Sequence, residues 1–234
     1  MKVSEIPYER YTVEQAKQAA QGIIERIKNA RTAEEIKAAR DDFNALSEQI
    51  ETASSLANCR FTLNTRDEFY TAEMDYYDSA APLFAKIQNE YERAMLSSPL
   101  RTEAEKLINP RVFKAFEISQ KTFSDDVIED LQAENALVTE YSKFMGELAF
   151  EFDGEKMPLS VLRGKLEDDD REVRRRAAEA IGKTLGENSD TLDSIFDRLV
   201  KIRTTVARKL GFDNFVELGY CRMERMCYDV QAVQ

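Results

Sequence analysis

The sequence predicts a mainly α-helical protein, a multi-helix bundle with one β-hairpin at about residues 147–160. Three observations support this fold class. The 234 residues include only eight Gly and five Pro, whereas all-β folds with many turns need more of both. Apolar residues recur at spacings of three and four along most of the chain, which is the period of one helix face. Only the residues near 147–160 alternate with a period of two.

Capping sequences indicate where the first helices begin. Thr12, Thr32 and Thr65 each precede Glu or Gln by three residues. This capping-box spacing satisfies two backbone N–H groups at a helix N-terminus. We therefore expect helices that start near residues 13, 33 and 66.

Three prolines constrain the helices that follow. The pairs Ser98-Pro99 and Asn109-Pro110 predict the starts of a short helix and of a longer one, because proline is favoured in the first helical turn. Pro82 falls inside the third helix. A proline there removes an N–H and clashes with the preceding turn, so we expect a kink.

The second and third helices carry different apolar patterns. The second has a seven-residue seam, which favours near-antiparallel packing against neighbouring helices. The seam comprises Ile36, Ala39, Phe43, Leu46, Ile50, Ala53 and Ala57. The third helix carries the aromatic residues Phe69, Tyr70, Tyr76 and Tyr77. Aromatic side chains at helical spacing are typical of a core, and they could also line a peptide groove.

The predicted hairpin lies in the second half of the chain, between helices. Apolar residues alternate on both sides of Asp153-Gly154, a dipeptide that favours a tight hairpin turn. A helix near residue 124 precedes the hairpin, and a short helix at about 160–166 follows it. Two further helices begin near residues 170 and 188. The last of them ends at Gly211, because glycine readily adopts the left-handed conformation of a helix cap.

Composition excludes several classes of function. The net charge is −11 and the pI is about 4.8, a balance that repels nucleic acid and anionic lipid. No segment has the roughly 18 apolar residues of a membrane-spanning helix. The odd number of cysteines, three, argues against a disulfide framework. We therefore expect a cytoplasmic protein without nucleic-acid or membrane partners.

The chain has no histidine. Ser-His-Asp triads, Cys-His pairs and H-E-x-x-H zinc helices are therefore absent from it. Gly182-Lys183-Thr184 resembles the end of a phosphate-binding loop, but Ala177 stands where that motif needs glycine. We predict no catalytic residue, no metal ligand and no cofactor in this chain.

One segment near the end of the sequence has residues suited to ligand binding. Tyr220, Arg222, Arg225 and Tyr228 combine two arginines, three residues apart, with two tyrosines. Guanidinium groups hold carboxylates and other planar acceptors through paired hydrogen bonds. These four residues are therefore suited to holding carboxylates or peptide carbonyls, and the alternative is a salt-bridged surface turn.

Four sequence segments, taken in order, resemble one known family. They are LVTEYSKF at 137–144, LAFEFDGEKMPLSVL at 148–162, DREVRRRAAEA at 170–180 and ARKLGFDNFVELGYCRMERMCYD at 207–229. Their order and spacing are similar to the N-terminal portion of oligoendopeptidase F-type zinc metallopeptidases, of the thimet oligopeptidase-like family. The resemblance is specific over about 111–229 and general over 1–110.

The resemblance implies a helical enzyme whose deep channel admits short peptides. In that family an H-E-x-x-H helix and a downstream Glu hold zinc, and no position of this chain matches them. The resemblance therefore implies a non-catalytic N-terminal fragment, truncated before the catalytic zinc helix, that walls the substrate channel. On this resemblance the candidate channel residues are Tyr220, Arg222, Arg225 and Tyr228. The parent protein would be a zinc metalloendopeptidase for short peptides. This chain alone would be inactive, and the missing C-terminal catalytic half would be its partner.

The predicted domain organisation has three segments: a long-helix bundle over 1–110, a helical domain with the hairpin over 111–185, and the start of the catalytic region over 186–234. Asp229 would cap a final helix of barely one turn. Such a fragment would expose an apolar face and self-associate. The alternative function is a stand-alone helical module in which the seam of the second helix and the tyrosine-rich third helix bind a partner helix.

Overall fold

The computed structural model describes residues 5–229 and 231–233, and in this part of the chain it contains ten α-helices and one β-hairpin. The helices are α1 (Val13–Asn29), α2 (Ala33–Leu63), α3 (Glu68–Leu96), α4 (Arg101–Leu107), α5 (Pro110–Ser119), α6 (Ile128–Glu147), α7 (Leu159–Gly164), α8 (Arg171–Glu187), α9 (Ser189–Lys209) and α10 (Phe215–Arg222). The strands are β1 (Phe150–Phe152) and β2 (Glu155–Met157). The predicted fold class is confirmed. None of the described helices is long and apolar enough to cross a bilayer.

The chain forms two compact units. One comprises the residues up to 135 together with those from 202 onward, and the other comprises residues 136–201. In the first unit α1, α2 and α3 pack against one another, and α4 and α5 join them. The central side chains of this core are Ile27, Ile36, Phe43, Tyr91, Met95 and Phe113.

The apolar seam of α2 packs against other helices of the same chain. Six of its seven residues are buried, namely Ile36, Ala39, Phe43, Leu46, Ala53 and Ala57. Phe43 stacks on Tyr91 of α3, with ring centroids 3.7 Å apart. The seam therefore serves the internal packing of α1, α2 and α3.

Hydrogen bonds link α3 to the residues before α1 and to the first residue of α1. Glu73 is only 3% exposed and accepts hydrogen bonds from Tyr8 and from both Nε and Nη2 of Arg10. The hydrogen bond from Arg10 is the main reason that the pKa of Glu73 is lowered. Tyr76 accepts a hydrogen bond from the backbone N–H of Val13 at 3.1 Å. Part of the aromatic group on α3 thus holds the chain's own N-terminal segment.

Pro82 lies within α3, which continues as a helix on both sides of it. Because proline lacks an N–H, the carbonyl of Asp78 cannot receive the usual helical hydrogen bond from residue 82. Asn135 of α6 donates its side-chain amide to that carbonyl at 3.0 Å, and Gln132 donates to the carbonyl of Ser79 at 2.7 Å. Two amide side chains of α6 thus supply donors beside the proline. The predicted kink stays a prediction.

Three helix starts agree with their predicted caps. Thr12 forms a complete capping box with Gln15 at the start of α1. The Thr32 hydroxyl accepts a hydrogen bond from a backbone N–H of α2. Asn109 caps α5, where Pro110 occupies the first turn. Each cap satisfies N–H groups that have no partner inside the helix.

Two predicted caps are wrong. The start of α3 is capped by Asp67 rather than Thr65, and the carboxylate of Asp67 accepts from the Tyr70 N–H at 3.0 Å. A carboxylate also interacts favourably with the helix dipole, so Asp67 is the better cap. Ser98 does not cap α4, which begins at residue 101 without a side-chain cap. Its hydroxyl instead accepts from the Leu100 N–H in a turn before the helix.

The second unit contains the predicted hairpin. β1 pairs with β2 in antiparallel register, with Phe152 opposite Glu155. Asp153 and Gly154 have φ values of 50° and 84°, and the tight hairpin turn requires positive φ at both positions. The core of this unit comprises Phe150, Phe152, Leu162 and Ala177.

The C-terminus of α9 has the predicted glycine cap. Gly211 has a φ of 86°. Its N–H reaches the carbonyl of Arg208 at 3.1 Å, and the N–H of Phe212 reaches the carbonyl of Ala207 at 2.9 Å. These two hydrogen bonds define a Schellman cap. The chain then turns into α10, which carries the candidate site.

Candidate functional site

α10 and the segment after it carry all four candidate residues. Asn214 caps the start of α10 with its side chain. The end of the helix is a Schellman cap without glycine, because Glu224 adopts a φ of 52° and the Arg225 N–H reaches the Tyr220 carbonyl at 3.1 Å. This turn determines where Glu224 and Arg225 lie relative to α10.

An open cavity of about 530 Å³ lies between α5, α10 and the segment that follows α10. We call it the basic cavity. Its walls comprise Lys114, Ile118, Lys121, Glu217, Tyr220, Cys221, Arg225, Met226, Tyr228, Asp229 and Gln231. The structure therefore brings Tyr220, Arg225 and Tyr228 together.

Aromatic and cationic groups meet in the basic cavity. The rings of Tyr220 and Tyr228 are arranged edge to face, with centroids 6.3 Å apart. The guanidinium of Arg225 lies 5.3 Å from the Tyr228 ring centroid, which is within the range of a cation–π contact. Among the described residues, no carboxylate lies within ion-pair distance of Lys114, Lys121 or Arg225.

Arg222 lies apart from the other three candidate residues. Its Nη1 donates to both carboxylate oxygens of Glu134, at 3.2 and 3.0 Å. Nε of Arg203 donates to the same carboxylate at 2.7 Å. Both guanidinium groups also lie 5.4 Å from the ring centroid of Phe215. Arg222 thus links α10 to Glu134, the carboxylate that Arg203 also contacts. Glu134 is buried, with only 7% of its surface exposed.

A second buried carboxylate, Glu92, also lies in this unit. Glu92 is 4% exposed and accepts hydrogen bonds from the side-chain amides of Gln88 at 2.9 Å and Gln120 at 3.2 Å. Burial raises the pKa of Glu92, and the nearby negative charge of Glu224 raises it further. A cavity of about 510 Å³ includes Glu51, Glu92 and Glu224 among its walls. We call it the acidic cavity.

The sequence analysis did not identify the lysines of the basic cavity or the carboxylate that holds Arg222. Lys114, Ile118 and Lys121 follow the spacing of one helix face in the sequence, and this pattern could have suggested a basic face there, although α5 itself ends at Ser119 and Lys121 lies in the turn after it. Glu134 has no comparable signal, because it meets Arg222 only through the fold. Asp229 accepts a hydrogen bond from the N–H of Ala232 at 3.0 Å, but the described residues 231–233 form a turn and not the predicted final helix.

Comparison with known proteins identifies the family. A family model described as the peptidase M3 N-terminal domain matches residues 3–123 of the 234 residues, which is just over half of the chain. The chain belongs to the M3 peptidase family. The match covers the part in which the M3 resemblance of the sequence was only general. Among curated proteins, none matches this M3 chain.

Solved structures extend the M3 similarity over nearly the whole chain. PZ peptidase A, solved with an inhibitor, is 39% identical with a TM-score of 0.92, over 99% of this chain and 41% of that one. A protein assigned as oligoendopeptidase F is 38% identical with a TM-score of 0.93, over 100% of this chain and 41% of that one. Another, from Bacillus anthracis strain Ames, is 36% identical with a TM-score of 0.91, over 98% of this chain and 42% of that one. The predicted resemblance is confirmed, and this M3 chain spans about two fifths of each relative.

The described residues of this M3 chain do not provide a metal site. In residues 5–229 and 231–233, no three Cys, Asp or Glu side chains are grouped so that they could hold an ion. The sequence also lacks His, the usual nitrogen ligand of zinc. The residues present therefore do not fit the zinc that the family resemblance implies.

Proposed function

We propose that this chain is the non-catalytic N-terminal portion of a zinc metalloendopeptidase that hydrolyses short peptides. The observation that carries the proposal is M3 membership together with coverage of only 41–42% of the related structures. On this proposal, zinc and its ligands lie in the remaining, C-terminal part of the protein. A zinc ion held there would supply an activated water for peptide hydrolysis, and we place the complete protein in the cytoplasm.

The basic cavity is our candidate for a wall of the peptide channel. Tyrosine rings offer large apolar contact area with a polar end, and guanidinium groups hold carboxylates. Tyr220, Arg225 and Tyr228 present both kinds of group to one cavity. Arg222 acts indirectly in this proposal, because its contacts with Glu134 hold α10 in place.

The predicted domain organisation becomes part of the same proposal. In it, residues 1–110 are the N-terminal long-helix bundle, residues 111–185 the helical domain with the hairpin, and residues 186–234 the beginning of the catalytic region. The basic cavity draws walls from residues of the second and third segments. A substrate channel would therefore lie where those two segments meet.

Two observations argue against the alternative of a stand-alone interaction module. It needs the seam of α2 to be available to a partner, but six of the seven seam residues are buried within the chain. It also relies on the tyrosines of α3, of which Tyr76 and Tyr77 accept hydrogen bonds from the residues that lead into α1. These surfaces are engaged internally, which favours the peptidase proposal.

The test compares this chain with the product of its complete reading frame. We expect the frame to continue to an H-E-x-x-H motif, and its product to hydrolyse internally quenched short peptides in a chelator-sensitive manner. The 234-residue chain, assayed with added zinc, should show no hydrolysis. The matched control replaces the Glu of that motif with Gln in the complete protein, which should abolish turnover while leaving the fold intact.

Two results would overturn the proposal. One is chelator-sensitive peptide hydrolysis by the 234-residue chain itself. The other is a complete reading frame that contains no zinc-binding motif. Either result would contradict the proposal that zinc-dependent catalysis belongs to the C-terminal part of the protein and not to this chain.

An exposed apolar stripe on α9 supports the predicted self-association. Phe196 is 69% exposed and Val200, one helical turn later, is 45% exposed. We propose that a second copy of the chain covers this stripe in solution, because exposed apolar patches favour association. Phe196→Ser should shift the chain towards monomer in light scattering, whereas Leu63→Ser on α2, where Leu63 is 77% exposed, should not. A monomeric unmodified chain at high concentration contradicts this.

A further inference from the structure

The turn after α10 separates two cavities of opposite charge. Glu224 and Arg225 are neighbours in the chain, yet they contribute to different cavities. The basic cavity includes Lys114, Lys121 and Arg225, and the acidic cavity includes Glu51, Glu92 and Glu224. An anionic group near this turn is attracted to the first cavity and repelled by the second.

Within the described part of the chain, the cations of the basic cavity form no ion pairs. Lys114 donates to the backbone carbonyl of Met226 at 3.5 Å. Arg225 has the Tyr228 ring and the sulfur of Met223 as neighbours, the latter at 3.9 Å. Two acids also line the cavity, and one of them, Asp229, accepts the Ala232 N–H at 3.0 Å. Three cations against two carboxylates leave a net positive cavity in a chain of net charge −11.

The other walls of the basic cavity are largely apolar or aromatic. Ile118 and Met226 contribute alongside the rings of Tyr220 and Tyr228. A volume of about 530 Å³ lies within the range of small-ligand sites. The ligand that matches these walls has a negative charge directly beside an apolar group. The last residue of a peptide has both when its side chain is apolar and its carboxylate is free.

We propose that the basic cavity binds the free C-terminal carboxylate of a short peptide. Arg225 and the two lysines face the carboxylate, and the tyrosine rings contact the last side chain. This inference rests on the proposed function and deepens it, because it names the end of the peptide that this chain holds. The acidic cavity beyond Glu224 disfavours placement of the carboxylate on that side of the turn.

The test uses a pair of peptides that differ only at the C-terminus. The probe is N-acetyl-Ala-Ala-Phe with a free carboxylate, and the comparison is the same peptide as its C-terminal amide. Both are titrated into the 234-residue chain by calorimetry. We expect the acid to bind about tenfold more tightly than the amide at low salt, and the difference to shrink as salt screens exposed charges.

Two variants test whether the preference for the free carboxylate over the amide arises in the basic cavity. Arg225→Gln should reduce the preference for the acid to about twofold or less, because it removes the guanidinium that faces the carboxylate. The matched control is Lys17→Gln, which makes the same change in net charge on the exposed face of α1, outside the cavity walls. Lys17→Gln should leave the preference unchanged.

Several outcomes would overturn the inference. These are equal binding of acid and amide, no binding of either, and equal effects of Arg225→Gln and Lys17→Gln. Displacement of the acid by inorganic phosphate at the same concentration would assign the cavity to anions in general. A failure here is distinguishable from failure of the proposed function, because zinc-dependent hydrolysis by the complete protein is measured separately and does not depend on this preference.

Discussion

Two buried glutamates of the first unit, Glu134 and Glu92, have opposite electrostatic surroundings. Their exposed fractions are similar, 7% and 4%. Glu134 accepts hydrogen bonds from two arginines, Arg203 and Arg222. Glu92 accepts hydrogen bonds from the uncharged side chains of Gln88, Ser119 and Gln120. Equal burial therefore does not mean equal charge environment.

The difference shows how a buried carboxylate acquires a role. A carboxylate with two guanidinium partners gains strong charge-assisted hydrogen bonds and ties together the elements that supply them. A carboxylate with uncharged partners alone keeps more of the cost of leaving water. Glu134 therefore stabilises the position of α10, whereas Glu92 is a site at which charge is disfavoured. The predictions below test this contrast.

The largest expected effect is on Glu134. Glu134→Ala should lower the free energy of unfolding by about 3 kcal/mol, because it leaves two arginines without their shared carboxylate. The partial exposure of Arg203, 37%, keeps the loss at the lower end for a broken buried pair. Urea unfolding measures the change. Glu140→Ala, which removes an exposed ion pair with Arg198, should cost less than about 0.5 kcal/mol, and equal losses would contradict the contrast.

Arg222→Gln should have the next largest effect. We expect a loss of about 2 kcal/mol, because hydrogen bonds to a buried carboxylate are lost while Arg203 still neutralises part of its charge. The double variant with Glu134→Ala should lose less than the sum of the two single changes, because the residues share one interaction. Urea unfolding of all three variants checks this, and strict additivity would show that the contact does not couple them.

Glu92→Gln should act in the opposite direction. It should raise the free energy of unfolding at pH 7 by roughly 1 kcal/mol or less, because an amide fills the site without a buried charge and retains hydrogen-bonding capacity. Urea unfolding at pH 7 measures the difference. A clear loss of stability would mean that the ionised carboxylate of Glu92 is favoured in the fold.

The pH dependence of this effect has a defined sign. The pKa of Glu92 is raised above its ordinary value of 4.5, chiefly by burial. Below the ordinary value the carboxyl is neutral in both the folded and unfolded states, and its favourable contribution to the free energy of unfolding is fully present. That contribution is lost as the pH rises through the folded pKa. The advantage of Glu92→Gln should therefore be smaller at pH 4 than at pH 7.

The smallest effect on stability is expected at Arg225. Arg225→Gln should change the free energy of unfolding by less than about 0.5 kcal/mol, because Arg225 is exposed and has no carboxylate partner among the described residues. It lies only three residues from Arg222. Thermal unfolding of Arg225→Gln and Arg222→Gln, measured under the same conditions, compares the two losses of stability. A loss for Arg225→Gln as large as that for Arg222→Gln would contradict the prediction.

Local features of the fold were predictable where one residue and its immediate neighbours decide the structure. The Thr12 cap, the Asp153-Gly154 turn and the Gly211 cap all follow from local hydrogen bonds and backbone preference. The errors were also local. Asp67 caps α3 in place of Thr65, and Ser98 forms a turn before α4 in place of capping it.

The candidate site was only partly predictable. Tyr220, Arg225 and Tyr228 were found because they are close in sequence, and they do share a cavity. Arg222 met the same sequence criteria, yet its side chain is held by Glu134, 88 residues earlier in the chain. Lys114 joins the cavity from α5 and Lys121 from the turn after it, and no spacing relates them to the tyrosines. Contacts between distant segments require the fold.

The sequence by itself determined the helical class, the hairpin, most helix ends and the family of this protein. These depend on periodicity, backbone preference and short motifs, all of which act over a few residues. Only the tertiary structure decided which arginine lines the basic cavity and which binds a buried carboxylate, and which buried glutamate has uncharged donors as its partners in the described part of the chain. Those outcomes depend on electrostatic interactions that act through space, between side chains that the packing of helices brings together.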